Sequence, residues 1–280
     1  MNKTNRISHR LALLKQQNQT ALIPYITAGD PHPNLTVELM HLLVAQGANL
    51  IELGVPFSDP MADGPVIQKA VERALAHKVS LKQVLAMVKA FRDSDSDTPV
   101  ILMGYLNPVE AMGFERFAQQ AQAAGVDGVL TVDMPPDESE GYAQALKAHD
   151  LERIFLVSPT TPESRLEAVN QLGSGFVYYV SLKGVTGKGT VNTVEVATQV
   201  SKLKHKVGLP VGIGFGIRDA ESAFNMAKIG DAVIIGSALV GLVEQHHQDP
   251  EAIKQALTDQ MQLFKQSIAR ADQGDNNELV

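Results

Sequence analysis

Residues Ala21–Gly54 read ALIPYITAGDPHPNLTVELMHLLVAQGANLIELG. Two apolar runs, Ala21 to Thr27 and Asn49 to Gly54, bracket a segment in which Leu35, Leu39, Leu42 and Leu43 recur at helical spacing. A strand buried on both faces reads as a continuous apolar run, and two such strands joined by a crossover helix make a parallel βαβ unit. The alternation continues through Val100 to Gly104, Gly128 to Val132, Arg153 to Val157, Phe176 to Val180, Val211 to Gly214 and Asp231 to Ile235, so the strands number eight. Helical spacing recurs between them, as in Phe114, Phe117, Ala118 and Ala121. Eight βα units without a linker predict a closed (β/α)8 TIM barrel. The competing open, doubly wound sheet would carry a glycine-rich turn after an early strand, and this chain has none.

Outside the eight units, Asn2 to Gln17 reads as an extra N-terminal helix able to plug the barrel floor. Ile253, Ala256, Leu257, Met261, Phe264 and Ile268 share one face of a long last helix. Residues 1–280 therefore read as a single domain, with the polar stretch 271–280 expected to fray. Two helix starts are marked locally: Ser80 with Gln83 matches a capping box, and Thr161 before Pro162 reads as a hydroxyl cap followed by a first-turn proline.

Composition narrows the function classes. With 44% hydrophobic and 20% charged residues, the 280-residue chain has enough apolar material for a full core, against a disordered reading. Twenty-four Lys and Arg against 31 Asp and Glu give a net charge of −7, the wrong sign for a nucleic-acid or anionic-membrane binder. The absence of cysteine excludes disulfides and thiolate chemistry. Leu11 to Leu14 is too short for a signal-peptide core, and Val233 to Val243 falls short of the ~20 apolar residues needed to span a bilayer. A cytoplasmic protein is expected.

In such barrels the active site lies at the C-terminal ends of the strands. Glu52, inside the run Leu50 to Gly54, is the first candidate: burial raises a carboxyl pKa, suiting a group that both gives and takes a proton near neutrality. The plain alternative is a Glu paired with Lys or Arg. Val55 to Ala62 then forms an irregular, proline-rich loop, and long loops of this kind are usually functional. Asp63 follows, readable either as a helix N-cap before Pro65 or as the second member of a carboxylate pair facing one pocket.

Three glycine-bearing loops close the later units: Lys183 to Gly189, Gly212 to Gly216, and Gly236 with Ser237. Glycines at these strand ends let backbone N–H groups approach a phosphate, and Ser237 at a helix start adds a hydroxyl. Nucleotide motifs are missing, which points to a small phosphate ester. The eight histidines show no metal-ligand spacing, so no metal is implied. Tyr178 and Tyr179 alternate on the sixth strand, one facing in and one out. Lys183 keeps open a rival chemistry, a Schiff base with a carbonyl substrate. A further alternative is a non-catalytic phosphate-binding subunit, against which the intact carboxylates argue.

Ile51-Glu52-Leu53-Gly54-Val55-Pro56-Phe57-Ser58-Asp59-Pro60-Met61-Ala62-Asp63-Gly64-Pro65 closely resembles tryptophan synthase alpha subunits. The resemblance continues through Pro24 to Pro31, Tyr105 to Pro108, Asp133 to Pro135, Gly184 to Gly187, Gly214 to Ile217 and Gly236-Ser237. It implies retro-aldol cleavage of indole-3-glycerol phosphate to indole and glyceraldehyde 3-phosphate, without an organic cofactor or metal. By the same resemblance Glu52 is the acid/base, Asp63 holds the indole N–H, and Tyr178 is the active-site tyrosine of the sixth strand. Tyr25, where some members carry Phe, and Met103 are indole-pocket walls. Thr186 belongs to a mobile loop, and Gly187, Gly216, Gly236 and Ser237, with Phe215 beside them, match substrate-binding positions. The resemblance further implies a pyridoxal-phosphate-dependent beta subunit in an αββα heterotetramer, contacted by Pro56 to Asp63 and by the segment around Asn107 and Pro108.

Overall fold

The computed structural model describes residues 5–136, 140–180, 193–214 and 216–274. Eight parallel strands close into a barrel in chain order: β1 Ala21–Thr27, β2 Ile51–Gly54, β3 Val100–Gly104, β4 Gly128–Thr131, β5 Glu152–Val157, β6 Val177–Tyr179, β7 Val211–Ile213 and β8 Ala232–Ile235. Each predicted strand is present, β1 and β3 with the expected bounds and the other six with ends displaced by a residue or two. Closure is made by β1 against β8, with Leu22 opposite Val233 and Ile23 opposite Ile234.

The helices among the described residues are α1 Arg6–Gln16, α2 Thr36–Ala45, α3 Pro65–Ala76, α4 Leu81–Arg92, α5 Leu106–Met112, α6 Phe114–Ala124, α7 Glu140–Ala148, α8 Glu163–Leu172, α9 Thr193–Lys206, α10 Ala220–Ala227, α11 Ser237–Gln245 and α12 Pro250–Asp272. Their apolar stripes pack on the outer strand faces: Leu39 and Leu43 of α2, Phe117 and Ala121 of α6, and Ile253, Leu257, Met261, Phe264 and Ile268 of α12 are all buried there. Alternation along each strand sends the other set inward. Ala21, Ile23, Leu50, Ile101, Leu130, Ile154, Phe176 and Ile234 fill the barrel together with Ile7, Leu11 and Leu14 of α1. The expected floor plug is therefore real, and it begins at Arg6 with Asn5 as its cap; residues 1–4 lie outside the described residues.

The plug is fastened by charge. Asp127, buried at the start of β4, accepts from Arg6 at 2.7 Å, from Arg92 at 2.7 Å and from the Val100 N–H at 2.8 Å, while Asn5 Nδ2 donates to its carbonyl. A buried carboxylate saturated in this way holds the lower barrel and α1 in one register. With the floor sealed, the opposite end is the one open to a ligand.

Two local expectations need correction. Thr161 does not cap α8: its hydroxyl accepts from the Ser158 N–H at 2.9 Å, so it closes the preceding turn, and Pro162 takes the cap position with its fixed extended geometry. The C-terminal tail does not fray from residue 271, because α12 runs to Asp272. That carboxylate accepts from both the backbone N–H and the hydroxyl of Thr20, pinning the helix end to the start of β1. Residues 275–280 lie outside the described residues. At Ser80 the capping-box reading agrees with the structure, where Gln83 Oε1 accepts the Ser80 N–H at 2.9 Å. No helix among the described residues is long and apolar enough to cross a membrane.

Candidate active site

β2 carries Glu52 on its inward face, two residues above Leu50 and in register between Tyr25 of β1 and Ile101 of β3. The residue is 1% exposed, and neither carboxylate oxygen has a hydrogen-bond partner. Pairing with Lys or Arg, the plain alternative for a strand carboxylate, is therefore absent among the described residues. Burial first, and the charge of Asp63 second, push the Glu52 carboxyl up to about 8. At neutral pH it holds a proton ready to donate.

Asp63 ends the loop that leaves β2. Its helix-cap reading fails: Gly64 occupies the cap position of α3 with Pro65 at the first turn, and no cap bond comes from Asp63. Its backbone is instead tied at both ends, the N–H donating to Pro60 O and the carbonyl accepting from Gln68 Nε2. The carboxylate accepts from the Tyr105 hydroxyl at 3.0 Å, and the same phenol oxygen accepts the Ala62 N–H at 3.1 Å. Burial raises the Asp63 carboxyl and the Tyr105 bond opposes the rise. Glu52 and Asp63 thus share one interior, each in its own environment, the arrangement that assigns different protonation states to two acids.

The walls come from neighbouring strands and two helices. Tyr25 packs with Ala70 of α3 and Val240 of α11, and Met103, Val66 and Ile67 close against them. Tyr178 faces inward among the barrel residues while Tyr179 joins the outer core, which resolves the pair as the strand alternation requires. Both inward phenols depend on glycines at strand ends. A Cβ on Gly54 would overlap the Tyr25 hydroxyl, and one on Gly214 would overlap that of Tyr178. The Tyr25 hydroxyl is satisfied by Thr27 Oγ1 at 3.2 Å. Gly214→Ala should displace the Tyr178 ring and cost about 1–3 kcal/mol of stability, read as a lowered urea midpoint; an unchanged midpoint would show that the ring has room to move.

At the mouth, Gly236 follows β8 and Ser237 opens α11, so the expected helix start is present. Gly216 adopts φ +76°, a conformation that side chains rarely tolerate, and a Cβ on Gly236 would sit in ordinary contact with Tyr25. The structure brings together Glu52, Asp63, Tyr25, Met103, Tyr178, Gly216, Gly236 and Ser237 at one end of the barrel. Thr186, Gly187, Phe215 and the rival amine Lys183 lie outside the described residues. Among the described residues, no cluster of three or more His, Asp or Glu side chains is placed to hold a metal ion. Tyr105 is the residue sequence reasoning missed as a site member. Its signal was present, since it immediately follows the C-terminal end of β3.

Known proteins sharpen this geometry. The family model for the tryptophan synthase alpha chain matches residues 11–269. The chain belongs to that family. The alpha chain of Hydrogenovibrio crunogenus is 65% identical over 96% of this chain and 99% of its own, and that of Marinobacter nauticus is 56% identical over 94% and 98%. The crystal structure of the alpha subunit from Legionella pneumophila superposes with a TM-score of 0.90 at 46% identity, covering 96% of this chain and 100% of that one. Tryptophan synthase alpha chains are carbon–carbon lyases of tryptophan biosynthesis, and this chain cleaves indole-3-glycerol phosphate to indole and glyceraldehyde 3-phosphate.

Proposed function

We propose that Glu52 and Asp63 divide the proton and charge work of this cleavage. Glu52 protonates the indole carbon that carries the glycerol chain, turning the ring into an indolenine whose positive charge falls on nitrogen. Asp63, ionised, accepts the ring N–H and stabilises that charge. Glu52, now a carboxylate, removes the proton of the adjacent glycerol hydroxyl. The C–O bond becomes an aldehyde as the carbon–carbon bond breaks and its electrons return to the ring. One proton enters and one leaves, so the acid is regenerated. The observation that carries this reading is an unpartnered, buried carboxyl pushed up to about 8 beside a second carboxylate held by a phenol.

Tyr25, Met103 and Tyr178 act as the apolar walls that hold the indole plane and keep water out. Gly187, Gly216, Gly236 and Ser237 hold the phosphate end, and Thr186 and Phe215 complete the substrate site. The loop from Pro56 to Asp63, with Met61 83% exposed and Ser58 and Asp59 beside it, and the exposed Asn107 next to Pro108, form the docking face for a beta subunit in an αββα assembly in the cytoplasm. No cofactor is required by the alpha chain itself.

The test is the pH dependence of kcat/KM for indole release by the chain assembled with a beta subunit. Catalysis needs Glu52 protonated and Asp63 ionised, so the rate falls on the alkaline side near pH 8 and on the acid side as Asp63 takes up a proton. A profile flat from pH 6 to 9 would overturn the assignment.

A further inference from the structure

Resting on that reading of Asp63, we infer that Tyr105 is the positioning residue of the indole N–H acceptor: one phenol oxygen holds both Asp63 Oδ2 and the Ala62 N–H, and so aims Oδ1 into the barrel. The geometry makes this a two-point clamp. Tyr105 donates to Oδ2 at 3.0 Å and accepts from Ala62 at 3.1 Å, so carboxylate and loop backbone cannot shift independently. No hydrogen bond engages Oδ1 among the described residues, which leaves that oxygen for the substrate. The clamp has its own support. Phe57, from the start of the same loop, packs on the Tyr105 ring at 5.3 Å between centroids, and Asp133 Oδ1 accepts the Leu106 N–H at 2.7 Å, holding the turn that carries the tyrosine.

A donor on one carboxylate oxygen has a second effect: it favours the ionised form. Asp63 is otherwise surrounded by groups that do not. Burial works against its ionisation, and Glu52 on β2, Tyr25 on β1 and Tyr178 on β6, whose own protons the Asp63 charge holds more tightly, give it no hydrogen bond. Asp133 is the other acidic side chain whose charge acts on Tyr105. Tyr105 is the one hydrogen-bond donor to its side chain among the described residues. It keeps Asp63 charged while Glu52 stays protonated.

The experiment measures indole release by the alpha–beta complex against pH for wild type, Tyr105→Phe and Asp63→Asn, with 3-fluorotyrosine incorporated at position 105 as a fourth form. Tyr105→Phe keeps the ring on Phe57 and should lower kcat/KM roughly tenfold. Its acid limb should move to higher pH while the alkaline limb of Glu52 stays. Fluorination strengthens the donor and should move the acid limb the opposite way. A Tyr105→Phe profile superimposable on wild type, or a uniform loss with both limbs unmoved, would overturn the clamp and leave Asp63 in its role provided Asp63→Asn is inactive. Turnover retained in Asp63→Asn would instead remove the underlying reading. Should Tyr105→Phe fold poorly, the fluorotyrosine form decides alone, since an unmoved acid limb there contradicts the inference.

Discussion

Glu52→Gln should lower indole release by roughly a thousandfold while the protein still binds indolepropanol phosphate close to normally. Gln matches Glu in shape but neither donates a proton to the indole carbon nor removes one from the hydroxyl, so binding and chemistry separate. A variant within a few-fold of wild type would end the acid/base role. Folding stability offers an independent readout. The Glu52 carboxyl stands near 8 in the folded chain against 4.5 for the free group. Between those values the folded state holds a proton that the unfolded state releases, so its stability declines as pH rises through that window. Gln carries no such proton. The two proteins should have similar urea midpoints at pH 4.5, and Gln should lead by pH 8, by on the order of a few kcal/mol. Equal midpoints at both pH values would mean that Glu52 ionises freely.

Asp63→Asn is expected to lose about 10²–10³ in kcat, the scale of removing one preorganised electrostatic partner of a developing charge. The amide can still accept from Tyr105, so the loop keeps its place and ligand binding suffers less than turnover. Because the charge of Asp63 is the second cause of the raised Glu52 carboxyl, its removal should lower the Glu52 titration midpoint, followed by carbon NMR of the labelled side chain. A Glu52 midpoint that stays put, with turnover intact, would mean that the two acids do not share a site.

Much of this was readable before any coordinates. The eight strands showed as apolar runs because each is buried on both faces, and α12 as a stripe because it is buried on one. Thr161 misled at short range, since a hydroxyl before a proline is a fair cap, yet its side chain had a better partner in Ser158; of the two readings open for Asp63 the cap is the one that fails, because its carboxylate is held by Tyr105. The polar end of α12 looked loose because Thr20, which holds Asp272, is 252 residues away in sequence.

From composition and period alone came the barrel, the plug at its floor and the strand that carries Glu52, since alternation and apolar runs are local consequences of which faces meet water. Packing in three dimensions settled the rest. It left Glu52 without a cation, turned Asp63 onto Tyr105 and set Gly54 and Gly214 under two phenols. Those outcomes depend on which side chains from distant strands arrive at the same depth of a closed barrel, and register between strands is fixed by the closure of the whole sheet rather than by any one segment.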